Sequence, residues 1–189
     1  VTSSPPASGA RSRTRQAILD AAIRVLGRRP NASLSEVATA AQVGRTTLHR
    51  YFASRQELLD AVSAEALAAV GSAFGRAGLT EGNGRDTLLR ALRELLDLRD
   101  VLTLVFTGIF LDRPEWQEGT EPSGELVEVV RRGHVDGSIS PELSALWVEN
   151  LLWCLLYAAD SYATVSGGSR HDALAMAVRS LDGALRPAR

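Results

Sequence analysis

Apolar residues recur at three- and four-residue spacing along almost the whole chain, and nowhere do they alternate as a half-buried strand requires. The first such stretch is Ile18, Ala21, Ala22, Val25 and Leu26. It forms one face of a helix that starts near Ser12 or Arg13 and is ended by Gly27 and Pro30. Ser33 or Ser35 is placed to cap a second helix with Val37, Ala38 and Ala41 inward. After a break at Gln42, Val43 and Gly44, where Gly44 is expected to relieve the tight turn, a third helix runs from Arg45 to about Tyr51. A longer helix over 54–74 is apolar at Leu58, Leu59, Val62, Ala66, Leu67 and Val70. A loop follows over 75–84, and further helices are expected over 86–98, 101–111, 124–135, 142–165 and 170–185. The fold class predicted is all-α, with an N-terminal tri-helical helix-turn-helix domain over 11–55 and a larger helical domain over 56–189. Residues 1–10 lack apolar periodicity and are expected to be a disordered tail.

The stretch 142–165 is apolar nearly all the way round, which in a globular protein requires cover on both faces. Val148, Leu152, Leu155, Ala159 and Tyr162 lie on one stripe; Trp147, Asn150, Cys154, Tyr157 and Ser161 lie on another. One stripe can face its own domain and the other a second subunit. The last helix has a stripe of Leu174, Val178, Leu181 and Leu185, with small Ala173 and Ala177 beside it.

Charge adds a second distinction between the two parts. The net charge of −1 conceals nine Arg against Asp20 and Glu36 up to Arg55, a balance of +7, followed by 12 Arg against 20 acids, a balance of −8. A compact basic segment on an acidic body points the first part toward a polyanion. Cys154 is the single cysteine, which precludes an intramolecular disulfide and fits a reducing cytoplasm. The longest apolar runs, over 101–111 and 151–159, are too short to span a bilayer, and the polar N-terminus with Pro5 and Pro6 is not a signal peptide, so no membrane partner is expected. His49, His134 and His171 lie far apart, no metal-ligand spacing, P-loop, dinucleotide fingerprint or G-x-S-x-G is found, and neither an enzyme nor a cofactor is expected.

Within LSEVATAAQVGRTTLHRYF, residues 34–52, Ala38 and Ala41 permit close helix approach, and Val43 and Leu48 fill the space between the helices. Arg45, Thr46, Thr47, His49, Arg50 and Tyr51 are left around the outer surface of the third helix, where Arg and short hydroxyls reach base edges and phosphates. Together with ILDAA at 18–22 and SRQELLDAV at 54–62, this segment resembles the N-terminal signature of the TetR (tetracycline-repressor-like) family of transcriptional regulators. The resemblance covers roughly the first third of the chain. It implies a ligand-responsive repressor that binds double-stranded operator DNA as a homodimer. Residues near Arg45 and Thr46 would read bases, Thr47 and Tyr51 would contact the backbone, and Arg55 would hold a phosphate. His49 stands where an aromatic commonly follows the Thr-Leu pair, and the connection between the first two helices is shorter than usual. Arg11, Arg13 and Arg15 are read either as a minor-groove arm or as solvated tail charges.

Beyond Val70 only the number and layout of helices resemble the family. A small-molecule cavity is suggested by Phe106, Phe110, Trp116, Trp147, Trp153 and Tyr157, with Asn150, Thr103 and Thr107 as polar groups. The ligand residues expected are Phe106, Phe110, Trp147, Asn150, Cys154 and Tyr157, for a small apolar or amphipathic effector. Asp112 or Glu149 on the cavity wall would favour a cationic aromatic. The alternative is that these aromatics only fill a core and the body binds a protein partner without an inducer. A recombinase arm is a third reading, but it lacks a catalytic cluster.

Overall fold

The computed structural model describes residues 7–117, 123–165 and 167–187, and among them every regular element is a helix. In chain order these are α1 (Ala7–Arg28), α2 (Leu34–Ala40), α3 (Arg45–Tyr51), α4 (Arg55–Ala77), α5 (Gly84–Leu96), α6 (Arg99–Phe106), α7 (Pro114–Gln117), α8 (Gly124–Val135), α9 (Ala145–Val165) and α10 (Arg170–Leu185). Periodicity placed α3, α8 and α10 at these bounds. Elsewhere the ends moved. α1 begins at Ala7 rather than near Ser12, so the part of the expected tail that is described is helical; residues 1–6 lie outside the described residues. α9 begins at Ala145 rather than at Glu142, because the Ser144 hydroxyl caps it by accepting from the Trp147 N–H at 3.2 Å. α6 stops at Phe106, where the chain turns and Gly108 takes a φ of 76°.

The chain divides into two compact units. The first comprises the chain through Ala68 together with Thr103–Ile109, and the second comprises Ala69–Leu102 and Phe110–Arg189. α4 and α6 therefore each contribute residues to both.

The core of the first unit is made by Ile18, Leu19, Ala22 and Leu26 of α1, Val37 and Ala38 of α2, Leu48 of α3, Phe52, and Leu58, Val62 and Ala66 of α4, all buried. Each large side chain among them stabilises the unit by roughly 1.5–3 kcal/mol. α1 also lies close to the end of α6: a Cβ on Gly27 would stand 3.3 Å from the Leu104 backbone nitrogen. α4 is, among the described residues, a helix long and apolar enough by length and composition to cross a membrane. In this unit its Leu58, Val62 and Ala66 are buried in the core just described, and Leu59 and Leu67 are half-buried.

In the second unit α5 crosses α8 at two glycines. A Cβ on Gly84 would fall 2.5 Å from the Gly133 Cα and 2.6 Å from the Val129 carbonyl oxygen; one on Gly133 would fall 2.9 Å from the Ile139 Cβ. This contact brings the turn after α8 to the start of α5, whose free N–H groups it satisfies. The Gly84 N–H donates to the Asp136 carboxylate at 3.1 Å and the Arg85 N–H to the Ser138 hydroxyl at 3.2 Å. Asn83 caps the same helix through the Asp86 N–H at 2.8 Å. Arg85 pairs with Asp182 of α10. α9 and α10 pack on one another, with Val148, Leu152, Leu156 and Ala159 of the first and Ala173, Ala177, Leu181 and Leu185 of the second buried.

Candidate nucleic-acid interface

Ser33 starts α2 with a reciprocal cap: its hydroxyl accepts from the Glu36 N–H at 3.3 Å, and the Glu36 carboxylate accepts from the Ser33 N–H at 2.7 Å. The Ser33 backbone and hydroxyl hold the Glu36 carboxyl below its usual range against the opposing effect of burial, with Arg29 adding to the lowering. α2 ends in a Schellman turn. The Gln42 N–H donates to the Thr39 carbonyl at 3.1 Å and the Val43 N–H to the Ala38 carbonyl at 3.0 Å. The residue that takes the left-handed conformation is Gln42, with φ 56°, and not Gly44 as the sequence led us to expect. Gly44 has φ −69° and ψ 150°, ordinary extended values, and serves as the N-cap of α3 without a side chain to offer.

α3 is anchored by one buried residue, Leu48, and closed by buried Phe52. This leaves Arg45, Thr46, His49 and Arg50 exposed and Thr47 and Tyr51 half-buried. The six residues expected to meet DNA on this helix are thus brought together on its free surface. The seventh, Arg55, is half-buried at the start of α4 and is turned inward, its guanidinium donating to the Pro30 and Ala32 carbonyls. It fastens the α1–α2 connection, so the short connection and Arg55 belong to one feature.

Because α1 begins at Ala7, Arg11 and Arg15 are helix residues one turn apart rather than parts of a loose arm. The Arg11 guanidinium lies 6.0 Å from the centre of the Tyr51 ring and that of Arg15 lies 5.5 Å from the centre of Phe52. Arg50 stands 5.7 Å from the Tyr51 ring. Among the described residues none of Arg11, Arg15, Arg45 and Arg50 has a carboxylate partner, while the acids of this unit are engaged elsewhere, Glu36 with Arg29 and Ser33, Glu57 with the Ala53 N–H, Asp20 and Glu65 with Gln16, and Asp60 with Gln56. Among the described residues the positive charge at the outer face of α3 is therefore not neutralised by a direct ion pair, which leaves it open to a polyanion.

The residues expected to bind a small molecule are distributed differently. Phe110 is buried, its ring stacked on Trp116 at 5.1 Å between centres and 13° between planes, with Arg113 5.9 Å from its centre. Phe106 is half-buried in the first unit. Trp147, Asn150, Cys154 and Tyr157 are not walls of an enclosed cavity in this chain: they lie on the exposed face of α9, opposite Val148, Leu152 and Leu156, with Trp147 61% and Tyr157 55% accessible. A cavity of about 220 Å³ in the second unit is lined instead by Leu96, Leu102, Ala159, Ala173 and Leu174 with Asp97, Asp160 and His171 among its polar groups. None of the expected ligand residues lines it.

The model of the bacterial regulatory proteins, tetR family, matches residues 18–62, the segment containing this helix pair. The HTH-type transcriptional repressor LfrR of Mycolicibacterium smegmatis is 36% identical over 184 residues, covering 96% of this chain and 95% of its own. The chain belongs to the TetR family. The crystal structure of LfrR from Mycobacterium smegmatis in complex with proflavine superposes with a TM-score of 0.73 at 34% identity, covering 93% of this chain and 98% of that one. The HTH-type transcriptional regulator NfxB of Pseudomonas aeruginosa is 26% identical over 172 residues, 85% of this chain and 89% of its own.

TetR-family proteins are DNA-binding transcriptional regulators and not enzymes, and this chain is one of them. Members bind operator DNA, act as dimers and bind small-molecule ligands. Sequence reasoning missed the inward turn of Arg55 and the docking of Arg11 and Arg15 on consecutive aromatics. The second had a legible signal, the four-residue spacing of Arg11 and Arg15, which matters only once the helix is known to start before them.

Proposed function

We propose that the chain is a dimeric repressor that reads its operator with Arg45 and Thr46 at base edges and Thr47, His49, Arg50 and Tyr51 around them, and that a small apolar or amphipathic ligand releases it. The observation that carries the reading is the unpaired basic face of α3, set beside aromatics and short hydroxyls. Phosphate contacts position such a helix and base contacts specify its sequence. The exposed strip of α9 with Met176 of α10 is the surface for a second copy, since Trp147, Tyr157 and Met176 are too apolar to be left in water. Two copies would present two α3 helices roughly 34–36 Å apart, or a multiple of it, to a palindromic site. A chain that reads DNA in this way works in the cytoplasm.

For the ligand, the similarity to LfrR and its complex with proflavine favours a planar aromatic cation, and the Phe110–Trp116 pair offers a stacking surface. α4, which contributes to both units, is the element through which occupancy would alter the head. Ligand and DNA must then weaken each other by one common factor, about 5- to 150-fold for coupling of about 1–3 kcal/mol. The test is calorimetric titration of proflavine into the protein alone and into its saturated complex with a duplex recovered from a random pool. Equal affinities would remove the inducer reading for this ligand and favour control by a protein partner.

A further inference from the structure

We infer that the N-terminal part of α1 supplies a second DNA-phosphate site, in which Arg11 and Arg50 hold one backbone phosphate across Tyr51. The inference rests on the operator-binding reading of α3 and adds to it a residue from a different helix. A notch in the first unit is lined by Ala10, Arg11, Thr14, Arg50 and Tyr51. Both guanidinium carbons lie within 6.0 Å of the same ring centre, Arg11 brought there by α1 and Arg50 by α3. A guanidinium held against a ring face keeps its N–H edge free, and that edge matches two oxygens of a phosphate. Neither arginine has a hydrogen-bond or ion-pair partner among the described residues, and neither does the Tyr51 hydroxyl. Thr14 is already committed, its hydroxyl donating to the Ala10 carbonyl at 3.0 Å, so it shapes the notch and does not bind.

Electrostatics decides between this and a purely structural stack. A cation over an exposed ring gains about 0.5–1 kcal/mol. Two cations drawn to one ring repel each other, and an anion between them converts that repulsion into two charge-assisted hydrogen bonds. A nucleic-acid phosphate is the anion of that charge and shape that reaches this end of α3 when the helix enters a major groove. Arg15, one turn further along, is stacked on Phe52 and does not line the notch.

The test uses the full chain and a duplex selected by the wild type from a random pool, with affinity measured by fluorescence anisotropy between about 50 and 200 mM salt. Each phosphate contact contributes about 0.9 to the log–log salt slope. Because both arginines meet one phosphate, Arg11→Ala and Arg50→Ala are each expected to weaken cognate and random duplex alike with little change of slope, and the double variant to lower the slope by about one, so that its affinity falls roughly 3.5-fold less over that salt range than the wild type's. Arg13→Ala, which removes the same charge outside the notch, should leave both affinity and slope near the wild type's. A wild-type affinity for Arg11→Ala, an equal loss for Arg13→Ala, or a slope that falls by about one in each single variant, would overturn the shared site in favour of a structural stack, diffuse tail charge or two separate phosphates. If the wild type itself selects no duplex, the operator reading fails and this site fails with it.

Discussion

Replacing Gly44 by serine tests the turn on which the recognition helix depends. Gly44 sits at φ −69° and ψ 150°, where serine is unstrained, and a Cβ there would find only the Thr46 and Thr47 hydroxyl oxygens, each at 3.9 Å. Serine adds what glycine lacks, an oxygen to accept from the free N–H groups of the first turn of α3, worth a few tenths of a kcal/mol over glycine. It also reduces the freedom of the unfolded chain, which contributes about 0.4–1 kcal/mol more. Gly44→Ser should therefore stabilise the head by about 0.7–1.3 kcal/mol. Gln42→Gly should do so by a similar amount, because it relieves the roughly 1–2 kcal/mol cost of a left-handed non-glycine residue and returns part of it as unfolded-state entropy. Hydrogen exchange of the amides of α2 and α3, in the DNA-free protein, reads both variants. A gain of about 1 kcal/mol slows opening about fivefold. Faster exchange in both variants would place the left-handed residue at 44 and refute the turn described here.

Gly84→Ala and Gly133→Ala should each destabilise the second unit by about 3 kcal/mol or more in urea unfolding, since the new methyl meets backbone at one site and the Cβ of Ile139 at the other; Gly124→Ala, with open space around it, should be near neutral. Arg55→Ala should cost about 1–3 kcal/mol of head stability by stranding the Pro30 and Ala32 carbonyls while leaving the salt slope of DNA binding unchanged, and a slope lowered by about one would restore a phosphate to Arg55. Burial opposes ionisation of Asp136, but the Ser138 hydroxyl and N–H, the Gly84 N–H and Arg132 outweigh it and lower its pKa. Its contribution to stability is complete above the ordinary value of 3.8 and lost as pH falls through the lower folded value. Asp136→Asn should accordingly flatten the acid limb of a urea-midpoint profile below about pH 4, and an unaltered limb would contradict the assignment.

What was legible in the sequence follows from the range of the forces that fix each feature. The face of α1 with Ile18, Ala22 and Leu26, the Ser33 cap and the bounds of α3 are set by neighbours within a turn or two, and periodicity and capping rules reach them. The left-handed Gln42 was hidden because glycine two residues later is the usual residue for that conformation, while the observed Schellman bonds depend on where α2 stops. The two stripes of α9 were both legible, but which one faces inward depends on where the neighbouring helices pack, and they bury Val148, Leu152 and Leu156 while leaving Trp147 and Tyr157 exposed. Aromaticity alone does not reveal that Trp147 and Tyr157 are exposed in the single chain. Composition cannot tell a ring that lines a pocket from one that awaits a second subunit.

The same limit applies to charge, and the hydrogen-bond partners remove it. Every basic side chain in this protein other than histidine is an arginine, so residue type cannot separate structural cations from binding ones. In the second unit most arginines are consumed locally: Arg90 donates to the Ala77 carbonyl at 2.9 Å and the Glu81 carbonyl at 2.7 Å, Arg132 to the Leu79 carbonyl at 2.8 Å, and Arg76, Arg85, Arg131 and Arg186 pair with Glu94, Asp182, Glu128 and Asp182, whereas Arg99 and Arg179 pair with no carboxylate among the described residues and lie on different helices. The engaged ones tie off helix ends and loops, and their charge is spent where it lies. In the first unit Arg29 and Arg55 do the same work, whereas Arg11, Arg15, Arg45 and Arg50 gather around α3 with aromatic rings and no acid. Leaving four guanidiniums together is unfavourable for folding alone, because like charges repel and a carboxylate nearby would relieve them. The arrangement makes physical sense when the missing anion arrives with DNA, whose backbone offers a run of phosphates to side chains held by two neighbouring helices.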